Sequence, residues 1–247
     1  MVNRTLFTRW GVVFSVIVLL FSASSALKAS TLTFTGTTGS ITLNVSDSDA
    51  SPSYSGVNAV IDPYTGILDK NAVLLWCVDP DHEVNTNDTW PVYISYAGGN
   101  LSQTYLGNAN TYGEMAWLIT QFQGANTTTQ QELQAAIWLI AEGETTQAAE
   151  QAGPFTVNGE NAAFWSSLYG VNGYITNAPE HVLTSGFEIL SDTTGNTSSA
   201  KQEFIVMTPE PSTILQLGVG LIALFALVFA SKSYKRLGPY WQLFETY

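Results

Sequence analysis

Cysteine is nearly absent from this chain of 247 residues: Cys77, within "AVLLWCVDPDHEV" at 72–84, is the only one. An intrachain disulfide framework is therefore excluded. Positive charge is almost as scarce, with 8 Lys and Arg against 20 Asp and Glu. Six of those eight sit at the ends, Arg4, Arg9 and Lys28 in front and Lys232, Lys235 and Arg236 behind. Between them, residues 30–208 hold only Lys70 and Lys201 against 18 acids, a net charge of −16. Such a surface repels nucleic acid and anionic lipid, so nucleic acid is not expected as a partner. A glycine-rich phosphate loop, zinc-spaced ligands, a dinucleotide fingerprint and a repeat of 20–50 residues are also missing. No cofactor and no metal site is expected.

Long apolar runs are few, and both are terminal. Residues 1–29 place Arg4 and Arg9 before an apolar stretch from Trp10 to Phe21, followed by small residues. That order is a secretory signal peptide, with cleavage after Ala26 or Ala29. The run Ile214–Ala230 carries no charge and is long enough, at the low end, for one transmembrane helix over 214–230. Lys232, Lys235 and Arg236 follow it and act as the membrane stop, which keeps the tail 237–247 in the cytoplasm and the bulk of the chain outside.

The interior reads as one domain, 30–205, of a size that supports its own core. "STLTFTGTTGSITLNVS" sets Leu32, Phe34, Ile41, Leu43 and Val45 at strand spacing. "VNAVIDP", "AVLLWCV", "PVYISY" and "KQEFIVMT" predict further strands. The period then changes. Met115, Leu118, Ile119 and Phe122 form a helical stripe within 112–122. A second helix carries Leu133, Ala136, Ile137 and Ile140, with a capping box from Thr129 to Glu132 and a stop at Gly143. A third helix is predicted over 160–169. The expected fold is a β-rich α+β ectodomain, a β-sandwich or barrel, with a small helical insertion and one C-terminal transmembrane helix.

Two resemblances add to this reading. Pro209, Glu210 and Pro211, then the apolar run, then the basic cluster, resemble the PEP-CTERM sorting signal of bacteria with an outer membrane, over about 206–236. The resemblance implies processing by exosortase, a cell-envelope or surface location, and an association with exopolysaccharide and biofilm. One departure is the tail "LGPYWQLFETY", since the family usually stops soon after the basic residues. Second, "WCVD" at 76–79 and "LQAAIW" at 133–138 resemble the motifs of the bacterial thioester domain family, over about 54–142. In that family the cysteine sulfur and the glutamine carbonyl are joined as an internal thioester, which gives those roles by position to Cys77 and Gln134. Trp76 and Trp138, next to the two motifs, are expected to wall the dry pocket that such a bond needs.

The residues alone leave a plainer reading open, because a lone cysteine often packs as a small apolar side chain. Pairing Cys77 with His82 or His181 as a hydrolase leaves the triad incomplete. Asp79, Asp81 and Glu83 in "DPDHE" lack the spacing and the glycine of a calcium loop. Trp90, Tyr93, Tyr96, Tyr105 and Tyr112 offer stacking surfaces for sugars, but aromatics in strands more often fill cores. The expectation is a non-enzymatic, exported and envelope-anchored surface or biofilm-matrix protein. In the first reading it is a covalent adhesin whose partner bears an amine or hydroxyl. In the alternative it binds exopolysaccharide or matrix non-covalently, with an inert buried cysteine.

Overall fold

The computed structural model describes residues 29–208, apart from 51, 52, 62, 97 and 198, together with 218–223 and 225. The chain is β-rich. Its strands are β1 (Ser30–Thr37), β2 (Thr42–Asp47), β3 (Tyr54–Val60), β4 (Tyr64–Leu68), β5 (Asn71–Cys77), β6 (Thr89–Tyr96), β7 (Phe155–Val157), β8 (Phe187–Asp192) and β9 (Phe204–Met207). Six of them close an antiparallel barrel in the order β1-β4-β5-β9-β8-β6. The other three form a second sheet, β3-β2-β7. Closure leaves the six barrel strands without a free edge.

Period-two burial explains the barrel strands. Along β1, Leu32 and Phe34 are buried while Thr31 and Thr33 are more open. The rings of Phe34, Tyr64 and Trp90 gather around Phe204 with centroids 5.9–6.4 Å from it. Each such ring buries a large apolar area, and edge-on contacts add roughly 0.5–1.5 kcal/mol per pair. Cys77 is the last residue of β5 and stands directly opposite Phe204 of β9, so its side chain shares the face that carries this cluster.

Between β6 and β8 the chain forms its helices: α1 (Ala109–Thr120), α2 (Thr127–Ala141), α3 (Gln147–Glu150), α4 (Ala162–Tyr169) and α5 (Tyr174–Asn177), with a 3-10 turn at Ala178–Glu180. The insertion is not purely helical, because β7 lies within it and pairs with β2. The predicted capping box does not form. Asn126 is the N-cap of α2, and its side chain accepts from the Thr129 N–H at 3.0 Å. Thr129 thus gives its donor to a cap three residues upstream, and the helix starts three residues earlier than the predicted box implies. The predicted stop at Gly143 does hold. Gly143 has φ +74, its N–H bonds the Ile140 carbonyl, and the Glu144 N–H bonds the Leu139 carbonyl, which is a Schellman ending.

α2 is the central helix. Every residue from Leu133 to Ile140 is buried, so the helix is enclosed on all sides rather than amphipathic. Gln131 Nε2 donates to the Thr42 carbonyl at the start of β2, and Trp138 meets Phe155 of β7 edge-on at 6.0 Å. α2 therefore runs where the second sheet meets the end of β5.

No helix among the described residues is long and apolar enough to cross a membrane. The signal peptide, Pro209, Glu210, Pro211, Lys232, Lys235, Arg236 and the tail lie outside the described residues, as does most of the run 214–230. Its described part, 218–223 and 225, is helical.

Gly113 of α1 shows how closely the insertion is packed. A Cβ there would stand 2.5 Å from the Leu183 carbonyl oxygen, and the Leu183 N–H already bonds the Gly113 carbonyl. Alanine would gain up to about 1 kcal/mol of helix propensity. It would also have to displace backbone, and overpacking of that kind costs about 1–3 kcal/mol. Gly113→Ala is therefore expected to lower stability in urea unfolding despite the better helix former.

Candidate functional site

Cys77 and Gln134 meet. The Gln134 side chain donates from Nε2 to the Cys77 carbonyl at 2.8 Å, across 57 positions of sequence. Both residues are buried, at 1% and 2% exposure. The Cys77 thiol donates to the Asp79 carbonyl at 3.1 Å. β5 delivers the cysteine at its very end, where the ladder with β9 spans only Trp76↔Ile205 and Cys77↔Phe204. α2 delivers the glutamine from its buried centre. A carboxamide in such a place must find a partner inside the protein, and here the partner is the cysteine backbone.

The two tryptophans expected to wall the pocket part company. Trp138 stands one turn beyond Gln134, and its indole N–H lies near the sulfur without completing a hydrogen bond. Trp76 is adjacent to Cys77 on a strand, where successive side chains point to opposite faces. It therefore pairs across the ladder with Ile205, away from the sulfur. The aromatic neighbour of Cys77 comes from the helix and not from its own strand.

The pocket is hostile to charge. Burial first, then the negative charge of Asp79, push the Cys77 thiol up to about 12. Beside it, Asp79 organises a polar cluster. Its Oδ2 accepts from His82 Nδ1 at 2.8 Å and from the Glu203 N–H at 3.2 Å, and its Oδ1 accepts from the Asp81 N–H at 3.0 Å. His82 Nε2 bonds the Thr197 carbonyl at 3.0 Å. Both ring nitrogens of His82 thus face protein oxygens, and the Asp79 hydrogen bond raises the proton affinity of the ring. A histidine engaged at both nitrogens is not free to act as a base for a cysteine nucleophile. His181 instead stacks on Trp117, with centroids 4.6 Å apart.

Glu203 is the polar residue that the strand pattern concealed. It is 1% exposed, and its carboxyl gathers the Tyr105 N–H at 3.0 Å, the Ser191 hydroxyl and the Tyr112 hydroxyl. Burial raises its pKa to about 7. The aromatics considered as sugar platforms divide accordingly: Tyr112 and Trp90 are core, Tyr105 donates its hydroxyl to the Lys201 carbonyl, and Tyr96 is exposed at 56%. Asp79, Asp81 and Glu83 do not converge. Asp79 is committed as above, Glu83 is exposed, and Asp81 turns towards Asp47 and Asp49.

A cavity of about 370 Å³ adjoins the site. Phe34, Val45, Tyr54, Tyr64, His82 and Trp138 are among its walls, so it opens between the barrel and the second sheet. Trp138 lies on this cavity and beside the sulfur at once.

No family model, no curated protein and no solved structure matches the chain. The site rests on its own geometry.

Two outcomes follow. Gln134→Ala removes the donor to the Cys77 carbonyl inside a buried helix, at a cost of about 1–3 kcal/mol in urea unfolding. Glu203 holds its proton more tightly when folded than when unfolded. Its contribution to stability is full below about pH 4.5 and is lost as pH rises through about 7. Melting temperature is expected to fall across that window, and Glu203→Gln to flatten the fall.

Proposed function

We propose that the chain is an exported, envelope-anchored surface protein that attaches covalently to a partner through a thioester between Cys77 and Gln134. The observation that carries this reading is the 2.8 Å hydrogen bond from the Gln134 carboxamide to Cys77, inside a pocket closed to solvent. The resemblance of "WCVD" and "LQAAIW" to the thioester domain motifs supports it.

In the bond-forming step the sulfur attacks the Gln134 side-chain carbonyl. An S–C bond forms, the C–N bond breaks, and the thiol proton leaves with the nitrogen as ammonia. A thiol held near 12 is a slow nucleophile. The same burial favours the uncharged thioester over a thiolate and keeps water from hydrolysing it. The adjoining cavity offers a route for a partner amine or hydroxyl, with Trp138 as the side chain between it and the sulfur. Attack by that amine makes an amide to Gln134 and returns the thiol to Cys77. The group is consumed once, so the chemistry is attachment and not turnover. The scarcity of lysine leaves the domain few amines of its own to compete.

Anchorage rests on the Pro209–Glu210–Pro211 motif, the run 214–230 and the cluster Lys232, Lys235 and Arg236, read as a PEP-CTERM signal handled by exosortase. Val219, Leu221, Ile222 and Phe225 are exposed apolar side chains, as a lipid-facing helix requires. A second reading is favoured by the raised Cys77 pKa: a matrix or exopolysaccharide-binding protein in which the thiol only fills space.

Intact mass separates the two. The mature chain recovered from the envelope is expected to fall one ammonia below its calculated mass, and methylamine is expected to add at Gln134. Cys77→Ala should abolish both effects. The full calculated mass in the wild type, with a thiol that alkylates on denaturation and no methylamine adduct, overturns the covalent reading.

A further inference from the structure

A second constellation lies a few residues from Cys77. Asp47 ends β2, Asp49 follows it, and Asp81 stands on the segment leading away from β5. One carboxylate oxygen from each lies within 4.8 Å of the others. Acidic residues cluster on many surfaces without a ligand, but these are not all on the surface. Asp47 is 0% exposed. Its Oδ1 accepts from the Asp49 and Ala50 N–H groups at 3.1 and 3.2 Å, while its Oδ2 is buried and has no hydrogen-bond donor. Asp81 Oδ1 is likewise buried without a donor. Two buried carboxylate oxygens therefore face a group of acids with no donor from the rest of the protein, so either a cation or a proton held between the carboxyls must offset their desolvation.

Counter-charge is also short. Glu142, just past α2, is disfavoured as a carboxylate first by burial and then by Asp81, Asp47 and Asp49, so it faces the same group. Lys201 is paired with Asp88 at 2.6 Å, and Lys70 occupies the turn between β4 and β5. His82 is the nearby basic side chain, and it is held by Asp79. An excess of hard oxygen donors around buried, unpaired lone pairs is the chemistry of a calcium ligand set. The absence of nitrogen and sulfur among these donors disfavours zinc.

We propose that Asp47, Asp49 and Asp81 bind a calcium ion that ties the segment after Cys77 to the second sheet. Asp47 Oδ2 and Asp81 Oδ1 are the buried ligands, Asp49 closes the site from the exposed side, and water completes the six to eight oxygens that calcium takes. The ion would add to a polar tie already there, the Tyr54 hydroxyl donating to the Pro80 carbonyl at 3.1 Å. Since Tyr54 also lines the cavity, calcium would fix one wall of it. The proposal is independent of the thioester and holds whether or not that bond forms.

The test uses the purified full-length chain in detergent, stripped with EDTA and titrated with calcium chloride. Dissociation constants of extracellular calcium modules fall at about 10⁻⁴–10⁻³ M. Saturable binding of one ion in that range is expected, with a rise in melting temperature that grows as ligand exceeds its dissociation constant. Asp81→Asn and the exposed Asp49→Asn should each weaken binding at least tenfold, and Asp88→Asn should not. Asp49→Asn keeps the test valid should Asp81→Asn fold poorly. Absence of binding at several times the upper limit overturns the proposal. So does stabilisation reproduced by sodium chloride at matched ionic strength, or binding unchanged in Asp49→Asn.

Discussion

A carboxamide in the middle of a helix enclosed on every side has one requirement above others: a partner within reach. Gln134 meets it at the backbone of Cys77. That contact fixes the turn of α2 against the end of β5, and the surroundings follow from it. Trp138, one turn on, is set beside the sulfur and on the wall of the cavity. Trp76 is set on the opposite face. An amide is a costly group to bury and is tolerated here because it finds that partner. An amide placed against a cysteine in a dry pocket is what acyl transfer between them needs.

Burial pulls in two directions here. It raises the thiol towards 12 and so slows the attack, yet it also shelters the product. Nearby, the same low-dielectric interior raises Glu203, while the Asp79 hydrogen bond raises the proton affinity of His82 against the opposing effect of burial. The polar residues around Cys77 thus form a structural frame. They hold the segment 78–82 by hydrogen bonds to Asp79 and leave the sulfur beside the Asp79 carbonyl and the Trp138 indole, on the face of the aromatic cluster. The acidic group at Asp47, Asp49 and Asp81 lies just outside that frame, on the seam between barrel and second sheet.

Much of this was legible in the sequence, for identifiable reasons. β1, β2 and β6 announce themselves through alternation of apolar and polar residues, and β3, β5 and β9 as short runs rich in apolar and β-branched residues. α1 and α2 do so through their 3.6-residue stripes, and α4 was predicted nearly to its observed bounds. Three strands escaped. β4 contains Gly66, β7 has three residues, and β8 buries Ile189, Leu190, Ser191 and Asp192 in succession, so none of them alternates. Glu203 was hidden inside a strand pattern, since nothing local marks a buried carboxyl whose partners lie about 90 to 100 positions away in Tyr105 and Tyr112. "DPD" at 79–81 lacks the spacing of a calcium loop and "DSD" at 47–49 carries no mark of its own, because only the fold brings the two together. Cys77 and Gln134 were legible as motifs, but their contact belongs to the fold.

The most direct measurement is an experimental density map of the pocket, taken on protein prepared at neutral pH without added amines. The account predicts continuous density from Cys77 Sγ to Gln134 Cδ, with the side-chain nitrogen gone. A separate thiol and an intact carboxamide, each in its own well-defined density, would contradict it.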